Sequence, residues 1–551
     1  MPGRGTVLLG GLAGLLAAAA AVLSSRGVAA LLEGVTDPLL AVANRAVDAA
    51  PRPVKELAIE TFGAADKPVL IGGVIGTVAL LAVVAGALGV RRPAVAIGAF
   101  LVLTGLAAAA AVTDRAASAG LGLRLLPVLV LVVVGLVLLV TMLRALGAPV
   151  GALAGALSGD RAATGSATNG DRLSGGRPSG GRPSGGRPSG GRPSGGRPSR
   201  RTFLLAAAAA GGLAVAGAAV SRAYGGLAAT ASRAGIRLPR PVEPAPPVPA
   251  GVAVGVPGVT PHLTSNADFY RVDTALQVPD VPVDGWRLRV HGMVENELDL
   301  SFDDLLERGL VERRITLTCV SNPVGGDLMG NALWLGVPVH QLLAEAGVVD
   351  GADAVRSTSA DDWTCGTPLA VLADPGRGAL VAVGMNGEPL PVEHGFPARL
   401  VTPGLYGYVS ATKWLVDLEV TRFADFTAYW TSRGYDAEAP IKTSSRIDVP
   451  RSFARVRPGT TPVAGVAWAQ ATGIARVEVR VDGGAWNEAT LGAEDGLDTW
   501  RQWVWQWEAT PGNHRLEVRA TDADGRTQTG ARAPIAPNGS TGWDSVTVLV
   551  T

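Results

Sequence analysis

Only two cysteines occur in this chain, and one of them stands where a strand commonly hands a reactive side chain to a cleft. Cys319 closes the β-rich run Arg314-Ile-Thr-Leu-Thr318 and opens a polar, glycine-bearing loop, Cys319-Val-Ser-Asn-Pro-Val-Gly-Gly-Asp327. A thiolate is both a nucleophile and a soft ligand for transition metals. Residue type alone leaves four readings of Cys319: metal ligand, nucleophile, disulfide partner of Cys365, or a buried small residue, as free cysteine commonly is.

Further residues of chemical interest follow in order. Leu333-Trp-Leu-Gly-Val337 comes soon after the cysteine loop. The stretch Met385-Asn-Gly-Glu-Pro-Leu-Pro-Val-Glu-His-Gly-Phe-Pro-Ala-Arg-Leu-Val-Thr-Pro-Gly404 carries His394 and Arg399, and Lys413-Trp414 lies beyond it. Arginine presents a planar fork to a phosphate, and histidine adds a donor. Asp361 and Asp362 supply carboxylates that accept from N–H groups. Thr427-Ala-Tyr-Trp-Thr-Ser-Arg-Gly-Tyr435 ends in a phenol able to donate a hydrogen bond or pass a proton.

This ordered set resembles the sulfite oxidase family of molybdopterin enzymes, over more than half of the chain. The resemblance implies molybdenum held by the pterin dithiolene and Cys319. It places Tyr435 at the metal's exchangeable oxygen, with Tyr429 as a local rival. Tyr270, Arg271 and Asp273 would lie against the pterin, and Asp361 would accept from it, with Asp362 as the alternative. His394 and Arg399 would bind the cofactor, its phosphate included, and Ala411, Thr412 and Lys413 would close over that phosphate through backbone N–H and Lys. The reaction implied is two-electron oxygen-atom transfer to or from a small sulfur or nitrogen compound, with a separate electron donor or acceptor. One departure stands out. In animal and plant members arginines follow the Cys-x-x-Asn, whereas here Pro323-Val-Gly-Gly326 does, which tilts the reading away from sulfite; Arg433, Arg446 and Arg451 are other sources of charge.

The elements that must position these groups occupy the second half of a chain of 551 residues, long enough for several domains. The net charge of +1 gives no global field to recruit nucleic acid. Four apolar stretches, about Thr6–Leu23, Val69–Val90, Ala94–Val112 and Leu125–Leu143, approach the ~20 residues that cross a bilayer as a helix. Arg91, Arg92 and Arg144 place the N-terminus, the loop between the second and third spans and the tail after the fourth on the cytoplasmic side. The spans carry no histidine for haem ligation and lack intramembrane charge, so an anchor or platform is expected rather than a haem relay or transport path. No Cys-x-x-Cys-His site exists, and no haem is expected.

Residues 149–200 are a Gly/Arg/Pro/Ser linker with Gly-Gly-Arg-Pro-Ser in tandem (Arg177, Arg182, Arg187, Arg192, Arg197), a composition with nothing apolar to bury. Ser199-Arg-Arg-Thr-Phe-Leu-Leu205 then resembles a twin-arginine export signal leading a fifth span (201–222), which would place the rest of the chain outside the cytoplasmic membrane. A Pro-rich tether (223–260) follows. Alternating strands and turn signals from about Ser445 predict an immunoglobulin-like sandwich (441–551); it resembles the dimerisation domain that follows the molybdenum domain in the family, and that resemblance implies a homodimer. The expected architecture is therefore multi-domain: an N-terminal α-helical transmembrane bundle (1–148), an α+β sulfite-oxidase-type molybdopterin domain (261–440), and a C-terminal immunoglobulin-like β-sandwich. The alternatives from other classes are a non-catalytic surface-binding protein on a degenerate fold and a transporter or sensor.

Overall fold

The computed structural model describes residues 3–32, 34–51, 54, 66–114, 117, 119–150, 199–224 and 227–551; the tandem-repeat linker lies outside them. The chain divides into an N-terminal helical unit, which ends at Ala223, and a β-rich unit that takes Tyr224–Thr551.

In the helical unit five helices are long and apolar enough to cross a membrane: α1 (Arg4–Ala29), α3 (Asp66–Gly89), α4 (Pro93–Thr113), α5 (Leu121–Ala145) and α6 (Arg200–Tyr224). The short α2 (Pro38–Ala49) lies between the first two. Each long helix covers one expected span and starts just before it; the second stops at Gly89, one residue short of its expected end. Large apolar side chains point outward, among them Leu80, Val102, Leu129 and Leu204. Small residues take the contacts: a Cβ on Gly86 would strike the backbone of Gly10 and Gly14, so α1 and α3 meet main chain to main chain.

The β-rich unit contains four sheets among its described residues. The first takes β1 (Arg287–Gly292), β2 (Leu298–Ser301), β5 (Ala354–Ser359), β6 (Thr364–Pro368) and β10 (Leu415–Thr421), in the order β2-β1-β10-β5-β6. The second takes β3 (Val311–Thr318), β4 (Met329–Pro338), β7 (Leu380–Met385) and β8 (Glu388–Pro389), in the order β3-β4-β7-β8, with β9 (Arg399–Val401) paired to β7. β4 and β7 are almost wholly buried, which explains their near-continuous apolar runs. Ser301 starts a helix over Phe302–Glu307 with a capping box to Asp304, as its residue type predicts.

From Ser444 on, two sheets face each other. One holds β11 (Ser444–Val449), β13 (Gly459–Trp468), β16 (Thr490–Leu491) and β17 (Arg501–Ala509). The other holds β12 (Arg455–Val456), β14 (Ile474–Val481), β15 (Asn487–Glu488), β18 (Gly512–Asp522) and β19 (Asp544–Val550). Trp503, Trp505 and Trp507 alternate along β17 and so share one face, packed against Val477 and Val479 of β14 and Leu516 and Val518 of β18. The expected tether (223–260) begins instead with a helix, Leu227–Gly235; only the rest is extended, and it does not run free. Glu243 bridges to Val311, the amide of Val242 donates to Leu310, and the amide of Thr260 donates to the Asp448 carboxylate.

Candidate active site

Cys319 follows directly on β3, an edge strand. Its edge is closed by the following sheets: the amide of Thr316 donates to Asp498 O (2.9 Å), and Gln470 Nε2 donates to Thr316 O (2.5 Å). A buried charged group locks the same place. Asp495 accepts from Arg314 Nη2 (2.7 Å) and Nε (2.5 Å) and bonds His262 Nε2 (2.8 Å), with only 1% of its side chain exposed. Burial acts to raise the Asp495 carboxyl, but the bonds from Arg314 and His262 outweigh it and hold it below the usual carboxylate range.

The loop after Cys319 is fixed by its own polar groups. The amide of Cys319 donates to Leu328 O (3.0 Å), the amide of Leu328 to Asn322 Oδ1 (2.9 Å), and Arg446 Nη1 to Gly326 O (2.7 Å). The asparagine of Cys-x-x-Asn is thus a loop staple. The thiol is free and half-buried, and the amide of Ser321 points at Sγ from 3.4 Å. Burial pushes this thiol up, while Ser321 and the Lys413 ammonium favour the thiolate. Cys365 is also free and fully buried, so the two cysteines form no disulfide.

Around Cys319 the fold gathers most of the candidate residues. Tyr270, stacked on Phe269 at 5.2 Å, is within electrostatic reach of both Cys319 and Arg399, and burial pushes its hydroxyl up. Asp273 accepts from Lys413 Nζ (2.9 Å) and Arg271 Nε (3.0 Å). Arg399 is 3% exposed, lies over the Trp334 ring at 5.1 Å, and donates to His394 O (3.0 Å) and Ala411 O (3.3 Å). Burial lowers Arg399 to about 10 and Lys413 to about 8. His394 bonds Asn266 O through Nε2 (3.0 Å), and burial followed by Lys413 lowers it to about 4, which keeps the ring neutral at pH 7. The structure separates the two candidate aspartates: Asp361 is half-buried and close enough to Asp273 to feel its charge, whereas Asp362 is exposed in a turn.

Other candidates are engaged elsewhere. The amide of Ala411 donates to Gly407 O (3.1 Å) and the Thr412 hydroxyl bonds Ser357 Oγ (2.6 Å), while the Lys413 ammonium donates to Asp273 and to Glu393 O (3.1 Å). Tyr435 is buried edge-on to Tyr408 (5.4 Å) and Trp430 (5.3 Å), in a cluster that includes Val320 beside Cys319. Arg446 is spent on Asp448, Gly326 O and Thr260, Arg433 lies on the Tyr429 ring, and Arg451 is exposed. Sequence reasoning missed Tyr406, which is buried and within electrostatic reach of Cys319. Its position between two glycines, Gly404 and Gly407, is a weak signal by itself.

Residues 275–430 match the family described as the oxidoreductase molybdopterin binding domain. Mitochondrial sulfite oxidase of Homo sapiens is 29% identical over 324 residues, which cover 50% of this chain and 58% of that protein. The uncharacterized oxidoreductase YuiH of Bacillus subtilis is 35% identical over 165 residues, 29% of this chain and 79% of that protein. Among solved structures, the sulfane dehydrogenase SoxCD of Paracoccus pantotrophus is 22% identical with a TM-score of 0.47, covering 53% of this chain and 84% of that one. The chain belongs to the sulfite oxidase family of molybdopterin oxidoreductases. It spans 58% of the length of the mitochondrial sulfite oxidases it matches.

The family's cofactor is molybdenum–molybdopterin, and the residues present fit it. His394 Nδ1 and Arg399 Nε are buried without a hydrogen-bond partner among the described residues. Arg271 and Lys413 pair with Asp273, whereas Arg399 donates only to main-chain carbonyls, which leaves its buried guanidinium free to meet an anionic phosphate. No group of three or more His, Cys, Asp or Glu able to hold a metal occurs among the described residues, so a metal here would depend on cofactor ligands together with a single thiolate.

Proposed function

We propose that the chain is a membrane-anchored molybdopterin oxidoreductase that carries out two-electron oxygen-atom transfer on a small sulfur or nitrogen oxo-compound outside the cytoplasmic membrane. The observation that carries this reading is the juxtaposition of the half-buried Cys319 thiol with the buried cations Arg399 and Lys413. The bound cofactor supplies the metal redox couple and the transferable oxygen. The protein's part is positional and electrostatic. Cys319 offers a thiolate from a strand end held by Asn322 and Arg446. Arg399, Lys413 and Arg271 hold the anionic end of the pterin, Tyr270, Asp273 and Asp361 line it, and His394 presents a neutral ring. Tyr435 handles protons near the substrate. Ala411 and Thr412 shape the turn that carries Lys413.

The five apolar helices act as an anchor and platform, with the segment from Ser199 acting as an export signal for folded cargo. The C-terminal sheets form an immunoglobulin-like domain that pairs two copies, and electrons pass to or from a separate carrier. Pro323-Val-Gly-Gly326, in place of arginines, favours a neutral oxo-substrate over a dianion.

The test is molybdenum and pterin content per chain after expression in a host that makes molybdopterin. One of each is expected; folded protein with neither overturns the reading. Arg399→Gln should lower retained pterin about 10–100-fold, since a hydrogen bond to a charged partner contributes about 1.5–3 kcal/mol. Unchanged pterin in that variant would remove Arg399 from the cofactor site.

A further inference from the structure

Behind the Cys319 loop a small cavity meets a larger cleft, and neither is assigned by the reading above. The cavity, about 20 Å³, is lined by Thr318, Asn322, Tyr406, Ser444 and Ser540 among others. One water needs roughly 10–15 Å³ of such space and two to four polar partners. Ser444, Gln528, Ser540 and Gly542 also line the cleft of about 410 Å³, so the two share a wall. The cleft reaches solvent past the exposed Arg526 and Thr529.

Tyr406 is the group at the inner end. Its ring lines the cavity, and its phenol O–H is able both to donate and to accept. C-terminal residues hold a lid over it. Lys442 Nζ donates to Gly539 O (2.6 Å) and Asn538 Oδ1 (2.8 Å), and Ser540 Oγ donates to Asn322 O (2.8 Å) in the cysteine loop. A Cβ on Gly539 would lie 2.5 Å from Tyr406 Oη, so any larger residue there would push the hydroxyl aside. On the inner wall, Thr318 Oγ1 has no hydrogen-bond partner among the described residues.

We infer that the cavity holds one ordered water and that Tyr406 is a proton-relay residue joining the Cys319 site to the cleft among the C-terminal segments. The inference rests on the oxygen-transfer reading. Oxidation of a sulfur compound by that chemistry consumes one water, forms one S–O bond and releases two protons, with two electrons leaving to an external one-electron carrier. Reduction of an S-oxide runs the same balance backwards. Either direction moves protons and water at a buried site, and the Tyr406–cavity–cleft route is the polar path on this side of Cys319.

The test uses the full chain, purified in detergent from a molybdopterin-making host, as wild type and Tyr406→Phe. Metal and pterin per chain, kcat, KM and the solvent deuterium effect are measured with an S-oxide and a reduced viologen, and the water is sought crystallographically. Expected for Tyr406→Phe are unchanged metal and pterin, an unchanged KM, a kcat at least about 100-fold lower, the lower end for proton transfer by a positioned side chain, and a larger solvent deuterium effect. Thr318→Val, which removes the other hydroxyl at the cavity wall, should shift the deuterium effect the same way and gives a readout should Tyr406→Phe fail to fold. Wild-type kcat and deuterium effect in both variants, or a cavity without a water near Tyr406 Oη, overturns the relay alone. Wild type lacking metal and pterin overturns the functional reading and the relay with it.

Discussion

Cys319→Ser is expected to abolish turnover while leaving the fold and the pterin in place. Serine matches cysteine in shape, and the site is half-buried, so no cavity opens. Its hydroxyl stays protonated at neutral pH and is a poor ligand for a soft site, whereas the thiolate is the binding form of cysteine. Changes that only touch a ligand's outer partners cost about 10–100-fold, so loss of the ligand itself should exceed about a hundredfold in turnover. The groups proposed to hold the pterin sit on other segments, Arg399 on β9 and Lys413 beyond it, so pterin per chain should stay near the wild-type value. Cys365→Ser is the contrast. Burial pushes that thiol up to about 11, it faces Thr367 Oγ1 at 3.9 Å, and its replacement should leave metal content unchanged. Full molybdenum and full turnover in Cys319→Ser would remove the thiol from the metal.

Asp495→Ala should produce the largest loss of stability. It leaves Arg314 and His262 buried without their shared counter-charge, and breaking a buried pair from one side costs about 3–5 kcal/mol. At about 2–4 °C per kcal/mol for a unit of this size class, the unfolding midpoint should fall by roughly 10 °C. All twelve tryptophans follow residue 260, so intrinsic fluorescence reports on the β-rich unit without interference from the helices. The pH dependence follows from the depressed carboxyl. Its contribution is fully present above the unfolded carboxylate range, near 4, and is lost as pH falls through the lower folded value. Wild type should therefore lose midpoint temperature towards acid more steeply than Asp495→Ala. Parallel acid profiles would show that this carboxylate does not carry the effect. Because Asp498, three residues on, bonds the strand that ends at Cys319, the variant should also retain less metal.

The apolar spans, the alternating strands of the C-terminal sheets and the helix cap at Ser301 were legible because each depends on local pattern; Cys319, His394, Arg399 and Lys413 stood out through the ordered motifs that resemble a family. A span needs only length and composition, a strand face only period two, a cap only a hydroxyl and a carboxylate at the right spacing. Pairings far apart in the chain carry no such mark. His262, Arg314 and Asp495 read as scattered polar residues until folding brings them together. Tyr406 and Gly539 likewise read as a loop aromatic and a turn glycine, though each fixes the other's place. The different burial of Asp361 and Asp362 also appears only in the tertiary structure, since adjacent residues differ only in which way a turn points them. Sequence by itself determined the elements and the chemical groups available. Tertiary structure decided which charges are buried without compensation, because burial and partner distance belong to the packed chain and not to any segment of it.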